Sequence, residues 1–418
     1  MPIRRIALIS VHASPLASMG GAKTGGMNVY IYELSRELGR QGISVDIFIR
    51  RACPSASAVD ESIGENVRVI SLAAGPPEPL PPAKQFEFLS EFTASLIAFA
   101  TRRNLHYDIV YSHYWLSGWV ASKLKEAWGI RFAHMYHTLG HMKKRIEDKS
   151  HYQPDRRIMT EMSILQSADR VVAATPAEQA QLRWLYRAGR KQIVVIPPGV
   201  NTERFNKVMS RDVAREILEV NPESNLLLFV GRIEALKAVD TIFEALHVLR
   251  ERAPSTLRNL QFMIVGGDPK STGDHEMNRL QSLSVEMGIA QLVRFVGAKE
   301  QSELPLFYAA ATAVIMPSDY ESFGMVALEA MSSGTPVIAS QVGGLQFLVR
   351  DQETGWHMPA REPISLAECI IELLSDRSRT EDMGLAASRI AQEYAWSRIA
   401  ERLLTVFEDV VCQKPRRT

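Results

Sequence analysis

The chain has 418 residues, with 48 lysines and arginines against 47 aspartates and glutamates, so its formal net charge is only +1. This balance excludes the long-range attraction to nucleic acid or acidic membranes that a strongly basic chain would have. Hydrophobic residues make up 46% and charged residues 23%, as in soluble globular proteins, and the length allows two domains. Three scattered cysteines, Cys53, Cys369 and Cys412, argue against a disulfide scaffold, and we expect a reduced, cytoplasmic setting.

The first half alternates short apolar runs with stretches of helical periodicity. The opening run, Ile6 to Ile9, is too short for the core of a signal peptide, and no run is long enough to span a bilayer. The predicted strands are Ile6–Ser10, Ser44–Ile49, Val67–Ser71, Ile109–Ser112, Phe132–His137, Arg170–Ala173 and Ile193–Ile196. The predicted helices are Asn28–Gly39, Phe86–Arg103, Trp115–Trp128 and Met159–Ser167. Buried strands separated by helices indicate right-handed βαβ units and a parallel sheet.

The second half repeats this alternation after a rigid break at Pro197–Asn201. Its predicted strands are Asn225–Val230, Gln261–Val265, Val293–Val296, Ala313–Met316 and Pro336–Ala339. Its predicted helices are Asp240–Arg250, Glu276–Met287, Glu303–Ala310, Met325–Ser332 and Ile364–Leu374. We therefore predict an α/β fold of two doubly wound, Rossmann-like domains facing across a cleft. The predicted domains are residues 1–199 and 200–395, and a C-terminal helix in 396–418 is expected to pack back on the first.

Two pairs of charged side chains stand out in the second half. Arg232 and Lys237 follow an apolar strand, where an arginine fork and a lysine would suit a diphosphate. Glu321 and Glu329 flank a strand-to-helix turn with Ser322 as its predicted N-cap, and carboxylates there would suit hydroxyl groups. Together the two pairs indicate a nucleotide sugar. A solvated basic loop, a simple cap partner and a helix-surface glutamate are the alternatives.

Glycine-rich turns follow several of the predicted strands. The loop at residues 20–28 contains Gly25 and Gly26 and precedes a helix, where bare N–H groups would suit an anion. It matches neither the dinucleotide-binding pattern nor the Walker pattern. Gly231 and Gly266 end two strands of the second half, where backbone groups can hold a ligand. A mobile or plain surface turn is the alternative at each place.

Two histidines of the first half also follow apolar strands. His113 is followed by Tyr114, and His137 is followed by Thr138. Such histidines face the carboxyl edge of the sheet, where ligands of these folds bind, unless they are satisfied structural histidines. Three basic residues of the same domain could join them around a phosphate on an acceptor, namely Lys84, Arg156 and Arg157. A solvated loop or a contact with a membrane surface is the alternative for the basic segment 141–157.

As a set and in chain order, these motifs resemble the retaining GT-B glycosyltransferases of family 4. The resemblance covers nearly the whole chain and is carried by Gly25-Gly-Met-Asn-Val-Tyr30, Ser112-His-Tyr-Trp115, His137-Thr-Leu139, Ile196-Pro-Pro-Gly-Val200, Val230-Gly-Arg-Ile233 with Lys237, and Glu321-Ser-Phe-Gly with Glu329-Ala. The chain looks most similar to the branch of the inositol-phosphate N-acetylglucosaminyltransferases, with sucrose-phosphate synthases as near neighbours. Met27 and Ser322 favour the first group, because many sucrose-phosphate synthases carry Gln and Pro there.

The resemblance implies a UDP-sugar in the C-terminal domain and an acceptor in the N-terminal domain. It implies that the diphosphate is held by Arg232 and Lys237, the ribose by Glu329, and the base by the backbone of Arg294. The donor-binding set that it implies is Gly25, Gly26, Gly231, Arg232, Lys237, Gly266, Arg294, Glu321, Phe323, Gly324, Met325 and Glu329. The catalytic set is His113, His137, Arg232, Lys237 and Glu321, with one of the two histidines contacting the transferred sugar. The acceptor set is Asn28, Lys84, Tyr114, Thr138 and one of Arg156 and Arg157.

We therefore predict a retaining hexosyltransferase that moves glucose or N-acetylglucosamine from a UDP-sugar to a small phosphorylated acceptor such as inositol phosphate. The alternatives are transfer to fructose 6-phosphate as in sucrose-phosphate synthases, a sugar-nucleotide epimerase or phosphorylase, and a non-catalytic sugar-binding protein. The UDP-sugar is a co-substrate, and we expect no further cofactor. We expect no catalytic metal, because the sequence has no Asp-x-Asp motif and fixed cations can neutralise the leaving group. The expected partners are the two substrates, without nucleic acid or stable membrane insertion, and a homodimer is left open.

Overall fold

The structure, a computed structural model, describes residues 2–17, 25–146, 154–206 and 209–413, without the side chains of residues 145, 146, 154 and 155. The described residues form two compact units. The first contains residues 2–17, 26–146, 154–197 and 396–413, and the second contains residues 25, 198–206 and 209–395. The division thus falls after Pro197 and again before Trp396.

The first unit is built on an eight-stranded sheet. Its strands are β1 (Arg5–Ile9), β2 (Ser44–Arg50), β3 (Val59–Asp60), β4 (Val67–Leu72), β5 (Ile109–His113), β6 (Phe132–Met135), β7 (Arg170–Ala173) and β8 (Ile193–Val195). Their order is β3-β4-β2-β1-β5-β6-β7-β8, and every pair is parallel except β3 with β4. Its helices are α1 (Gly26–Arg40), α2 (Pro82–Gln85), α3 (Leu89–Arg102), α4 (Tyr114–Trp128), α5 (Gly140–Ile146), α6 (Pro154–Ser167) and α7 (Pro176–Leu185).

The second unit is built on a six-stranded, wholly parallel sheet. Its strands are β9 (Asn225–Val230), β10 (Leu260–Val265), β11 (Val293–Gly297), β12 (Ala313–Met316), β13 (Val337–Ser340) and β14 (Gly355–Met358), in the order β11-β10-β9-β12-β13-β14. Its helices are α8 (Arg211–Ile217), α9 (Val239–Arg252), α10 (His275–Glu286), α11 (Leu304–Ala310), α12 (Met325–Ser332), α13 (Leu345–Leu348), α14 (Pro363–Ser375) and α15 (Arg377–Ala391).

Each sheet is apolar on both faces because helices cover both. In the first unit, Phe48 of β2 packs in one core with Phe92 of α3 and Leu116 of α4. In the second unit, Phe229 of β9 packs in one core with Phe243 of α9. The strands are therefore held rigidly, and their carboxyl ends provide fixed positions for the residues that follow them.

The last helix, α16 (Trp396–Cys412), belongs to the first unit. Its apolar stripe faces that unit: the ring of Trp396 lies 5.4 Å from that of Tyr30 in α1, and the ring of Phe407 lies 5.0 Å from that of Tyr111 in β5. Arg131 donates a hydrogen bond to the carbonyl oxygen of Val410 at 2.9 Å. The chain therefore returns to the first unit after completing the second.

The predicted α/β fold with two parallel, Rossmann-like sheets is confirmed. Eight elements were not predicted, namely β3, β14, α2, α5, α7, α8, α13 and α15. β14 is a very short apolar run that Gly355 and His357 interrupt, and the sequences of α7 and α15 are polar and only weakly amphipathic. The predicted strand Phe132–His137 is too long, since β6 ends at Met135 and the backbone of His137 is left-handed, with φ 60°.

Candidate active site

Three neighbouring strands of the second unit end in glycine at one edge of the sheet. The N–H of Gly231 donates to the carbonyl of Val265 at 3.0 Å, and that of Gly266 donates to Gly297 at 2.9 Å. A Cβ built on Gly266 would lie 1.8 Å from the carbonyl oxygen of Gly231, so only glycine fits. The backbones of these turns therefore pack directly together.

Arg232 extends from this edge and is accessible. Its Nη1 lies 2.5 Å from Oε1 of Glu234, and 46% of its side chain is exposed. An exposed pair of this kind contributes little to stability, so a phosphate could compete for the guanidinium. Gly25 belongs to the second unit, and a Cβ built on it would lie 4.0 Å from Nε of Arg232, whereas Gly26 is the first residue of α1.

Lys237 and Glu321 meet although 84 positions separate them in the sequence. Nζ of Lys237 lies 2.5 Å from Oε2 of Glu321, and their side chains are 16% and 17% exposed. Lys237 ends a 3₁₀ turn that follows β9, and Glu321 lies in the loop after β12. The pair forms because β9 and β12 are neighbours in the sheet and their carboxyl ends meet.

The loop that carries Glu321 is held by two glycines that were not predicted to be functional. The N–H of Gly344 donates to the carbonyl of Glu321 at 3.0 Å. A Cβ built on Gly343 would lie 1.7 Å from that carbonyl oxygen, and one built on Gly344 would lie 2.3 Å from Cα of Phe323. The double glycine directly after β13 was a signal that could have found them, since it marks a close backbone approach.

The turn into α12 differs from the prediction. Ser322 is not the N-cap of α12: its Oγ donates to the hydroxyl of Tyr320 at 3.4 Å, and the N-cap is Gly324, with φ 106° and no side-chain cap. The first N–H groups of α12, starting with Met325, have no partners within the helix. Phe323 is buried, with its ring 6.0 Å from that of Tyr394, which fixes the residues next to Glu321.

Glu329 lies on the buried face of α12 and not on an exposed face of the helix. Its side chain is almost fully buried, with 5% exposed. Nε2 of Gln301 donates to Oε1 at 3.0 Å, and the hydroxyl of Tyr308 donates to Oε2 at 2.9 Å. The surface-glutamate alternative is therefore wrong. Both oxygens are therefore oriented by protein donors.

Arg294 lies on β11 with its side chain exposed. Its Nη1 donates to the carbonyl oxygen of Leu218 at 2.6 Å. The guanidinium thus contacts the surface of the unit, and the contact of the Arg294 backbone with a base stays a prediction.

In the first unit, the two predicted histidines form a hydrogen-bonded pair. Nδ1 of His113 lies 2.9 Å from Nε2 of His137, at the ends of the neighbouring strands β5 and β6. His113 has no exposed surface, whereas His137 is half-buried, and which of them contacts the transferred sugar stays a prediction. Burial lowers the pKa of His113 well below its ordinary value and that of His137 to about 3, so both rings are neutral near pH 7.

Arg156 and Arg157 differ in which of the predicted site residues they contact. Nη2 of Arg157 donates to the carbonyl oxygen and to Oγ1 of Thr138, at 2.7 and 3.1 Å. Its Nη1 donates to the hydroxyl of Tyr114 at 3.3 Å, and its Nε donates to Glu161 at 2.7 Å. Arg156 contacts none of these predicted residues in the described contacts, and its guanidinium lies 5.4 Å from the ring of Phe86. The structure thus brings Arg157, Thr138 and Tyr114 together.

Lys84 lies in α2, an exposed turn that is anchored by the residue after it. The ring of Phe86 stacks on that of Trp115 at 5.4 Å, and Trp115 directly follows Tyr114. The guanidinium of Arg156 lies over the same ring. Phe86 therefore fixes the segment of Lys84 next to the start of α4, although the side chain of Lys84 itself extends to solvent.

Asn28 is buried in α1, and its amide donates to the carbonyl oxygen of Ser14 at 2.7 Å. It thereby holds the loop after β1, which also carries His12. The ring of His12 lies 4.2 Å from that of Tyr114, and burial lowers its pKa to about 3. His12, which was not predicted to be functional, thus lies beside the predicted acceptor residue Tyr114, three positions after the end of β1.

Two further findings concern metals and membranes. Within the described ranges, no group of three or more histidine, cysteine, aspartate or glutamate side chains is arranged to hold a metal ion. None of the helices in the same ranges is both long enough and apolar enough to cross a membrane.

Two Rossmann-like units, each with polar side chains at the carboxyl ends of its parallel strands, are the architecture of the GT-B fold, and two family models identify the chain as a glycosyltransferase. The model of Glycosyltransferase Family 4 matches residues 24–204, and the model of Glycosyl transferases group 1 matches residues 210–389. The chain is 37% identical to a D-inositol 3-phosphate glycosyltransferase of Corynebacterium urealyticum, over 97% of this chain and 96% of that one. The chain belongs to glycosyltransferase family 4.

Two more similarities agree with this assignment. A D-inositol 3-phosphate glycosyltransferase of Kineococcus radiotolerans is 38% identical, over 98% of this chain and 96% of the relative. Among solved structures, a sucrose-phosphate synthase from Thermosynechococcus elongatus is 35% identical with a TM-score of 0.87, over 97% of this chain and 99% of that chain.

Proposed function

We propose that this glycosyltransferase moves a hexose from a UDP-sugar to the hydroxyl of a small phosphorylated acceptor, with inositol phosphate as the first candidate. The observation that carries the acceptor class is Arg157, whose guanidinium is fixed on Thr138 and Tyr114 at the strand ends. A planar guanidinium held beside two hydroxyls suits a phosphate. Inositol phosphate ranks first because the curated relatives of 37–38% identity carry that acceptor in their names.

The donor would lie at the carboxyl ends of the strands of the second unit. A diphosphate would compete with Glu321 for Lys237 and with Glu234 for Arg232, and the released Glu321 would accept hydroxyls of the sugar. Both cations would stabilise the charge that develops on the departing UDP, in place of a metal ion. Glu329, already oriented by Gln301 and Tyr308, would accept the ribose hydroxyls.

We infer that the configuration at the anomeric carbon is retained. No side chain is assigned as a nucleophile, and the departing phosphate oxygen would take the proton of the acceptor hydroxyl on the same face of the sugar. His137 is neutral, and it would therefore act as a hydrogen-bonding group toward the transferred sugar rather than as a cation.

The test is a screen of UDP-glucose and UDP-N-acetylglucosamine against inositol phosphate, fructose 6-phosphate and unphosphorylated inositol. We expect UDP release with inositol phosphate, none with inositol, and an axial glycosidic bond by NMR. An equatorial bond contradicts retention, and a rate that falls in chelator and recovers with Mg²⁺ contradicts a metal-free reaction.

A second candidate is transfer to fructose 6-phosphate, which the 35% identity and TM-score of 0.87 with a sucrose-phosphate synthase favour. Turnover with fructose 6-phosphate but not with inositol phosphate would establish it. UDP-sugar conversion without any acceptor would instead indicate an epimerase, a requirement for inorganic phosphate would indicate a phosphorylase, and donor binding without turnover would indicate a sugar-binding protein.

A further inference from the structure

The loops that carry Lys237 and Glu321 are also joined by Arg361, which lies three positions beyond the end of β14. The Nε of Arg361 lies 2.8 Å from Oδ1 of Asp319, and its Nη2 lies 2.6 Å from Oδ2. This is a bidentate pair, which fixes angle as well as distance. Since Asp319 precedes Glu321 by two residues, the guanidinium holds the Glu321 loop from one side.

The same guanidinium holds the other loop. Nη1 of Arg361 donates to Oδ1 of Asp240, and its Nη2 donates to the carbonyl oxygen of Ala235, both at 3.0 Å. Ala235 opens the 3₁₀ turn that ends at Lys237, and Asp240 lies at the start of α9 just beyond it. One side chain therefore bonds to both sides of Lys237 and to the loop of its partner Glu321.

Two other contacts fix this arrangement. The N–H of Asp319 donates to the carbonyl oxygen of Leu236 at 2.9 Å, so the two loops also touch through their backbones. Arg279 lies 3.1 Å from Oδ2 of Asp240 and orients that carboxylate toward Arg361. The backbone of Arg361 is itself left-handed, with φ 60°, a conformation that a non-glycine residue keeps where its surroundings hold it.

We propose that Arg361 is a positioning residue, which sets the separation and orientation of Lys237 and Glu321 for sugar transfer. This inference rests on the proposed function of that pair. Its side chain is 45% exposed, and exposed pairs contribute little to global stability, so its effect is expected on the local geometry of the loops.

The kinetic test compares Arg361→Gln with Arg350→Gln. Arg350 is a matched control, because it is 50% exposed and pairs with Glu353 at 3.0 Å in the same unit but away from these loops. We expect Arg361→Gln to lower kcat about 10- to 100-fold and to change the donor KM less than about threefold, since small misplacements of catalytic groups mainly lower turnover. Arg350→Gln should leave both constants unchanged.

Two more variants separate positioning from charge. Arg361→Lys keeps the positive charge but cannot bond to Asp319, Asp240 and Ala235 together, so we expect it not to restore kcat. Asp319→Asn should lower kcat similarly, and the double variant should be no worse than either single one. Normal turnover of Arg361→Gln, or full activity of Arg361→Lys, would overturn the proposal.

Hydrogen exchange tests the same proposal without substrate. In Arg361→Gln, amides of residues 234–240 and 318–324 should exchange about tenfold faster than in the wild type, because both loops lose their common anchor. In Arg350→Gln they should not. Unchanged exchange in both loops would refute the role of Arg361, whereas a wild-type protein that transfers no sugar in the screen would refute the proposed function and leave the exchange result to decide on Arg361.

Discussion

The two units hold their candidate functional side chains in different ways. In the first unit, Arg157 is paired with Glu161, a carboxylate with no exposed surface that also accepts hydrogen bonds from the N–H of Gly140 and the hydroxyl of Tyr186. In the second unit, Lys237 pairs with Glu321, which is 17% exposed and stands on a loop fixed by backbone contacts. The candidate site of the first unit therefore depends on a buried ion pair, whereas that of the second unit depends on loops held by backbone contacts.

This difference predicts whether a substitution in each site lowers mainly stability or mainly activity. A buried charge that loses its partner is costly, so the contacts that orient Arg157 also stabilise the fold. Water can reach Glu321 when Lys237 is removed, so the second site can lose activity with little loss of stability. Substitutions in the two sites test that contrast.

The largest expected effect is on transfer by Lys237→Ala and Glu321→Gln. Each removes a group that contacts developing charge or the donor sugar, and we expect kcat/KM to fall about 10²- to 10³-fold. The free energy of unfolding should fall by only about 1 kcal/mol, because the pair is partly solvated. Initial rates and urea unfolding check this, and near-normal rates in both variants would contradict the donor site.

The next effect is on stability in the first unit. Arg157→Gln leaves Glu161 buried without its cation, and we expect the free energy of unfolding to fall by about 3 kcal/mol, together with a higher acceptor KM. Arg156→Gln is the matched control, since its guanidinium lies over Phe86 and its loss should cost under about 1 kcal/mol. Equal losses of unfolding free energy in the two variants would show that the buried ion pair stabilises the fold no more than the contact of Arg156 with Phe86 does.

A smaller effect is expected on the stability of the fold at acidic pH. Burial lowers the pKa of His12, His134 and His137 to about 3, so the folded state stays neutral while the unfolded chain binds protons below about 6.5. Stability is therefore present above pH 6.5 and is lost as the pH falls toward 3. Between pH 6.5 and 5 each histidine can account for about 2 kcal/mol at most.

Glu178 has the opposite effect on the pH dependence of stability. Burial raises its pKa to about 7, so its contribution to the free energy of unfolding is lost as the pH rises from about 4.5 to 7. Urea unfolding at several pH values measures the sum. His134→Gln should make the acid loss shallower, and Glu178→Gln should make it steeper. Unfolding that is independent of pH between 5 and 7 in all three proteins would show that these groups are not buried as described.

The smallest expected effect is that of Arg294→Gln. Its side chain makes a surface hydrogen bond to Leu218, and the proposed contact with the base uses the backbone. We expect a change in unfolding free energy within about 0.5 kcal/mol and a donor KM within about twofold of the wild type. A tenfold rise in donor KM would show that the guanidinium itself contacts the nucleotide.

Much of the fold and part of the site could be predicted from local pattern. Apolar runs located most strands, and the residues at or within a few positions of their carboxyl ends included His113, His137 and Arg232. The double glycine after β13 was a local signal for Gly343. Arg361 could not be assigned in this way, because its importance comes from contacts with Asp319, to which nothing local in the sequence connects it.

By itself the sequence determined that two parallel sheets form, and that charged and aromatic groups stand at their carboxyl ends, because strand and helix periodicities are local properties of the chain. Only the tertiary structure decided that Lys237 meets Glu321, that Arg157 rather than Arg156 joins Thr138, and that His113 is buried behind His137. The physical reason is strand order. Residues far apart in sequence become partners when their strands are neighbours, and that adjacency is set by how whole sheets pack.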